Sequence, residues 1–488
     1  MDLAKLVVYS ARRYAQEPAI GFAGGVVTYR ALMGATAAAV EVLEKLRLPL
    51  RSLVVLDIRS PVYHIAMIYA LALCGLRSAS VGGTSVLERA GPRPALLLTD
   101  REDLAGTPDL PVRRIDPRWF AHDESQPVDY QRLLDKPGFS NPDEVFRLIY
   151  SSGTTGRPKC VGLSNRSLEV RISHAALQAP YRSGTGAILN TMSFSTIVGS
   201  MMPFHAPANG ALLCFAGSGG EVLQMIRVFG VSYLSGSVAQ LQGVLQALGD
   251  DAPPPSLRTV RLIGSRVTRP QLREMRARLC NHVISVYGST EMGRVTNAEP
   301  IDLERDEGSV GWPMPFVAVE VVDESGAPLP PGRDGVIRVK TDELAVYVDE
   351  AGQPVPMAAE DGWFYPGDVG HYEPDGLLVV TGRTSEIINR GGVVVAPEAV
   401  EEVLRLDPRF TDLAVVGVHN ARGLEEIWAA VVCEAPVDGA AVIAAARTQL
   451  SERTPDRVVI VDAIPRNENG KVMRHRLREQ LLAQVRGA

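Results

Sequence analysis

Four segments near the N-terminus alternate between two hydrophobic patterns, and that alternation restricts the fold more than any other feature. "ATAAAVEVLEKL" (35–46) spaces its apolar residues as an amphipathic helix does. "SLVVLDI" (52–58) is a short apolar run, "HIAMIYALALCGL" (64–76) a longer one, and "PALLLTD" (94–100) is short again and ends in an acid. Helix, strand, helix and strand in this order predict a parallel sheet covered by helices. The run at 64–76 falls well short of the ~20 apolar residues a membrane span requires, so it reads as a buried helix. "MDLAKLVVYSARRY" at the N-terminus holds a very short apolar run, then arginines, and no small-residue cleavage site, so no signal peptide is read there.

The same rhythm continues. "VFRLIY" (145–150) and "KCVGLS" (159–164) read as strands, with a helix starting near Ser164 or Asn165, both good N-caps. "VSYLSGSVAQLQGVLQAL" is strand then helix, and "LRTVRLIGS" and "HVISVYGSTE" are strands ending at Gly264 and Tyr287. Two hairpins follow, 317–340 and 362–383. After Arg383 the texture becomes helix, strand, strand, helix, strand, a compact α+β unit. The predicted fold is therefore α/β: a large N-terminal domain of helix-covered β-sheets, residues 1–384, and a small α+β domain, residues 385–488. At 488 residues the length prior of ~3 domain-sized units is met equally by one large and one small domain.

A net charge of −6 lacks the basic balance of a nucleic-acid binder. Cys74, Cys160, Cys214, Cys280 and Cys433 are odd in number, scattered, mostly in apolar runs and without metal spacing, which reads as reduced cysteine in the cytoplasm. Arginine greatly outnumbers lysine, so Lys159 and Lys471 stand out as compact, movable charges.

The chemistry concentrates first in "SSGTTGRPK". Ser151, Ser152, Gly153, Thr154, Thr155 and Gly156 offer hydroxyls and backbone N–H groups with little bulk, a run that can wrap phosphate oxygens, and Lys159 can neutralise charge on them. The spacing is not the G-x-x-x-x-G-K-[ST] of the common nucleotide loop: Pro158 precedes Lys159, Cys160 stands where the hydroxyl should be, and the loop joins two strands rather than a strand and a helix. That excludes an ordinary P-loop hydrolase.

"SSGTTGRPK" resembles the signature of the adenylate-forming superfamily, which includes acyl-CoA synthetases, peptide-synthetase adenylation domains and beetle luciferases. Four further motifs follow in that family's order: "VYGSTE" (286–291), "GWFYPGD" (362–368), "GRTSEIINRGGVVVAPEAVE" (382–401) and "PRNENGKVMR" (465–474). The resemblance implies ATP, Mg2+ and coenzyme A as ligands and a mobile small domain. It also implies site roles. Tyr287 and Gly288 would meet adenine together with Gly264. Thr290 would bond a phosphate, and Glu291, with Thr154, would hold magnesium through hard oxygens. Asp368 and Arg383 would hold the ribose. Lys471 would reach across from the small domain to bridge the acid's carboxylate and the α-phosphate, with Ser385 as the hinge. Gly391 and Gly392 would let the backbone approach a pantetheine arm. That Gly-Gly form favours an acid–CoA ligase. A stand-alone enzyme loading an acyl or aryl group onto a carrier protein is the alternative.

The acyl pocket is implied at Phe194, Ser195, Gly199, Gly288 and Met292, and here the chain departs from the family. Ser195 stands where relatives commonly have histidine, Ser385 where many have Asp or Lys, and Pro366 where a threonine is frequent. "LIGSRV" (262–267) replaces a G-G-A pattern, and its Arg266 has three readings: facing nucleotide, binding a second carboxylate, or pointing to solvent.

Overall fold

The structure, a computed structural model, describes residues 2–82, 91–102, 110–123, 125–151, 159–178, 184, 186–306, 308–390, 393–420, 424–435, 437–466 and 470–487; of 151, 393, 394, 486 and 487 only the backbone is described. The early βαβ rhythm builds an eight-stranded sheet. Its strands Leu53–Asp57, Arg77–Ser80, Leu96–Thr99 and Val112–Arg114 are parallel to one another, and Val145–Ser151 joins them parallel to Arg77–Ser80. The helix Pro61–Leu73 begins at a Ser60 cap followed by Pro61 and buries ten consecutive residues, His64–Leu73, which explains a run that is apolar all round. No helix among the described residues is long and apolar enough to cross a membrane.

A second sheet of thirteen strands carries the remaining large-domain elements. Its centre is parallel: Ala187–Asn190, Val231–Gly236, Thr259–Ile263 and His282–Ser289 run in register neighbours. On one face Leu234, Val260 and Leu262 pack against the helices Gly219–Phe229, Val238–Leu248 and Arg269–Arg278. On the other, Ile188 and Tyr233 meet Met202 and Ala206 of the helix Ile197–Ala208. Both predicted hairpins form, Val317–Val322 with Gly335–Thr341 and Asp368–Tyr372 with Leu378–Arg383.

Strands Val145–Ser151 and Lys159–Ser164 are antiparallel, with Ser151 opposite Lys159, so the signature loop does join two strands. Ser164 then caps the following helix by accepting from the Ser167 N–H at 3.2 Å. Asn165 is buried instead and bonds Leu3 and Phe139.

Beyond Arg383 a turn leads to a small sheet, Phe410–His419, Glu425–Cys433 and Arg457–Ile460, with its own apolar clusters on both faces. The last strand is shorter than the 456–464 pattern suggests. A closing helix, Arg474–Gly487, has no counterpart in the sequence reading; it buries Leu477 and Leu481 against this sheet. All five cysteines are free, Cys160 and Cys214 buried and the others half-buried.

Candidate active site

A cleft of about 1050 Å³ lies between the thirteen-stranded sheet and the C-terminal unit. It opens at the carboxyl ends of the parallel strands Thr259–Ile263 and His282–Ser289, the edge where open α/β sheets receive ligands. Gly264, Tyr287 and Gly288 line it from those ends, Asp368 and Arg383 from the second hairpin, and Lys471 from the opposite side. Gly264 has φ +85°, a conformation glycine adopts without strain, and being glycine it puts no side chain into the cleft.

Asp368 is the anchor. It is 2% exposed and sits opposite Arg383 in the hairpin register. Tyr287 donates its hydroxyl to Oδ2 at 2.6 Å, and Arg383 Nε pairs with Oδ1 at 3.0 Å. Burial pushes the Asp368 carboxyl above its ordinary value, and Arg383, the Tyr287 hydrogen bond and Lys471 pull it back. Each carboxylate oxygen has a second lone-pair site, so the group can still accept from a vicinal diol.

Lys471 is half-buried. Burial lowers its pKa and Arg383 adds to that, while Glu386 and Asp368 oppose it. Three residues further on, Arg474 ties the C-terminal unit together, pairing with Glu386 at 2.8 Å, Glu398 at 2.9 Å and Glu401 at 2.7 Å. Burial alone would lower the Arg474 pKa, but the three carboxylates outweigh it and raise it. Ser385 is exposed in the turn between Thr384, whose N–H donates to Gly367 O at 2.8 Å, and Glu386, which Arg474 holds. Arg266 faces Glu402 of the helix Pro397–Leu404 at 3.9 Å across the cleft, an ion pair that none of its three sequence readings named.

Thr290 and Glu291 are half-buried in the turn after His282–Ser289. A residue the sequence reading missed holds them. Arg171, buried in the helix Asn165–Gln178, donates from Nη2 to the carbonyls of Thr290 at 3.1 Å and Glu291 at 3.0 Å, and from Nε to Glu343 O at 3.0 Å. Ala345 N–H also donates to Glu291 O, at 2.8 Å. Nothing in "NRSLEVRISHAALQ" separates Arg171 from the surface Arg166; only the fold does.

Phe194 is stacked on His64, ring centres 4.2 Å apart, and half-buried Ser195 bonds Ser193 at 2.9 Å. A second unforeseen cation, Arg147, lies behind them with no exposed surface, bonded to Ser78, Ser80, Ser200 and the Phe194 carbonyl. Burial pushes its pKa down to about 9. Gly199 packs so closely on this segment that a Cβ would lie 2.0 Å from Ser193 O. Met292 is buried in the apolar cluster with Val295, Met314 and Val339. Lys159 is exposed and turned toward Tyr347, with Nζ 3.1 Å from its hydroxyl. Ser152, Gly153, Thr154, Thr155 and Gly156, like Gly391 and Gly392, lie outside the described residues, and so does the side chain of Ser151.

These features meet their counterparts in known proteins. The chain belongs to the AMP-binding enzyme family, which matches residues 8–346, and with it to the adenylate-forming superfamily; the C-terminal domain of AMP-binding enzymes matches residues 399–471. Among curated relatives, the 4-chlorobenzoate–CoA ligase of Arthrobacter sp is 27% identical over 352 residues, 70% of this chain and 67% of that protein. A fatty acid–[acyl-carrier-protein] ligase of Streptomyces coeruleorubidus is 30% identical over 367 residues, 71% and 69% of the two chains. The fold matches o-succinylbenzoate coenzyme A synthetase of Bacillus subtilis, solved with ATP and magnesium ion, with a TM-score of 0.84 at 22% identity over 97% of this chain and 99% of that one. The large sheets with a small C-terminal unit are therefore the family's architecture.

Proposed function

We propose that this protein is an ATP-dependent carboxylic acid–CoA ligase. The observation that carries the reading is Lys471, held by the C-terminal unit in the same cleft as Asp368, Arg383 and Tyr287. The acid's carboxylate attacks the α-phosphorus of ATP, the α–β bond breaks, and pyrophosphate leaves. Two anions must meet for this, and Lys471 between them relieves the repulsion and stabilises the added charge of the transition state. The product is an acyl-AMP. The thiol of coenzyme A then attacks its carbonyl carbon, loses its proton, and expels AMP.

Asp368 and Arg383 hold the ribose, and Tyr287, Gly288 and Gly264 bound the adenine. The loop 151–156 with Lys159 takes the β- and γ-phosphates. Magnesium fits the donors present: Glu291 supplies a hard oxygen beside the phosphate-binding Thr290, and no group of three or more His, Cys, Asp or Glu side chains among the described residues forms a protein cage. That suits an ion carried in by phosphates and neutralising their charge. The division into two domains at Ser385 lets the small one turn between half-reactions, bringing Gly391 and Gly392 to the thiol. The enzyme works in the cytoplasm. Its 30% identity to a ligase named for an acyl-carrier protein supports a carrier-bound thiol as a second reading of the acceptor.

The test is acid-dependent pyrophosphate release, with and without coenzyme A. AMP formation accelerated by coenzyme A is the expected result. Release that only a phosphopantetheinylated carrier accelerates would replace the acceptor, and release of ADP would overturn the reading.

A further inference from the structure

Arg261 lies in the strand Thr259–Ile263 and is 7% exposed. Its guanidinium stands over the Tyr233 ring, 5.0 Å from the centroid. Nε and Nη2 are buried with no hydrogen-bond partner among the described residues. Buried donors are normally satisfied, charged ones above all. A guanidinium taken out of water and left with a ring face is a group waiting for an acceptor.

Its place in the fold says which acceptor. The register pairs Arg261 with Ser235 and Thr259 with Tyr233, so Arg261 and Tyr233 share the sheet face covered by the helix Ile197–Ala208. The segment 191–196 leaves the carboxyl end of Ala187–Asn190, at the same edge as Gly264 and Tyr287, and the helix runs back from there. Arg261 is three residues before Gly264, so it lies about 10 Å below that edge. His205 is eight residues into the helix, about 12 Å from its start. The two are near neighbours: burial lowers the His205 pKa to about 4, with Arg261 and then Arg294 adding to the effect. The imidazole is thus neutral at neutral pH and adds no like charge. Arg261 therefore lies on the sheet face beneath the helix that follows Phe194 and Ser195, too far below the edge to meet the carboxylate that reacts.

We propose that the acid substrate is a dicarboxylate, and that Arg261 binds the second carboxylate at the deep end of the acyl pocket. This rests on the acid-activating reading above. The planar fork of a guanidinium matches a carboxylate in two parallel hydrogen bonds, and a negative charge there neutralises the buried cation. Arg266, the other arginine with this role among its readings, is directed at Glu402.

The test compares matched pairs of acids, adipate with hexanoate and terephthalate with benzoate, by pyrophosphate release from the full-length enzyme, R261L and R261K. Diacid binding is measured separately by calorimetry without ATP. The wild type is expected to favour the better diacid over its monoacid partner by about 10²-fold or more in kcat/KM, since a site built for a polar group rejects the analogue lacking it. R261L should lower that ratio at least tenfold and weaken calorimetric diacid binding in parallel, while R261K retains part of it. An unchanged KM for ATP shows that the variants are folded. A wild-type enzyme that takes monoacids equally well, or an R261L that loses both acids in equal proportion, overturns the proposal. If no acid releases pyrophosphate, the ligase reading fails. Calorimetry then decides separately: Arg261-dependent diacid binding sustains the subsite, and its absence removes it.

Discussion

Replacing Arg171 by methionine tests whether the Thr290–Glu291 turn is held from behind. The buried guanidinium donates to three backbone carbonyls, those of Thr290, Glu291 and Glu343. Hydrogen bonds to charged groups contribute about 1.5–3 kcal/mol each, and a buried acceptor left bare costs about 1–3 kcal/mol. Against this, methionine removes a buried cation whose desolvation is itself unfavourable; burial lowers the Arg171 pKa to about 10, with Glu343 and Glu291 opposing. Ala345 N–H still holds Glu291 O. The net expectation is a loss of about 3 kcal/mol in unfolding free energy, within the range for a broken buried network. Activity should fall further than stability explains, because in the proposed mechanism the turn carries a phosphate contact and the magnesium carboxylate. A fall in kcat of about 10- to 100-fold is expected, as for a misplacement of about 1 Å at a reacting group. The magnesium concentration for half-maximal rate should rise with it. The assay is pyrophosphate release titrated with magnesium, alongside urea unfolding; R171K should recover part of the stability and little of the rate. Wild-type magnesium dependence in a destabilised R171M would refute the positioning role, and wild-type stability would refute the energetics.

Lys471→Ala should slow acyl-AMP formation by roughly 10²-fold or more while largely sparing thioester formation from preformed acyl-AMP. Single-turnover measurement of each half-reaction checks this, and equal loss in both would contradict a lysine used in only one. Asp368→Ala should raise the KM for ATP more than it lowers kcat, since a ribose contact acts in ground and transition states alike; steady-state kinetics at saturating acid decide it. Acid should destabilise the fold through His64 and His205, whose pKa values burial lowers from 6.5 to about 3 and about 4. The unfolded chain takes up these protons near 6.5 and the folded chain does not, so stability present above that pH is lost as pH falls toward 4. The loss is about 1.4 kcal/mol per pH unit per histidine, about 4 kcal/mol for both at pH 5. Denaturant midpoints between pH 7 and 5 measure it, and H64Q together with H205Q should flatten the slope.

Where the sequence was locally unambiguous, the structure follows it. The βαβ segments, both hairpins and the strand–loop–strand context of "SSGTTGRPK" depend on hydrophobic period and turn residues, which act within a few positions. The C-terminal helix was missed because so few of its residues, Leu477 and Leu481 among them, are deeply buried, and its polar texture resembles a tail.

The motifs alone assigned the family and singled out Tyr287, Glu291, Asp368, Arg383 and Lys471, because the family's signature residues sit at recognisable spacings along the chain. The tertiary structure decided what no spacing encodes. Asp368 and Lys471 are 103 residues apart in sequence and face one cleft. Arg171 braces the Thr290–Glu291 turn, Arg147 fills the interior behind Phe194, and Arg261 lies over the Tyr233 ring under the helix Ile197–Ala208 with Nε and Nη2 unbonded among the described residues. An arginine reads the same in sequence whether solvent, a carbonyl or a substrate will meet it; its role is set by which surfaces the fold removes from water around it.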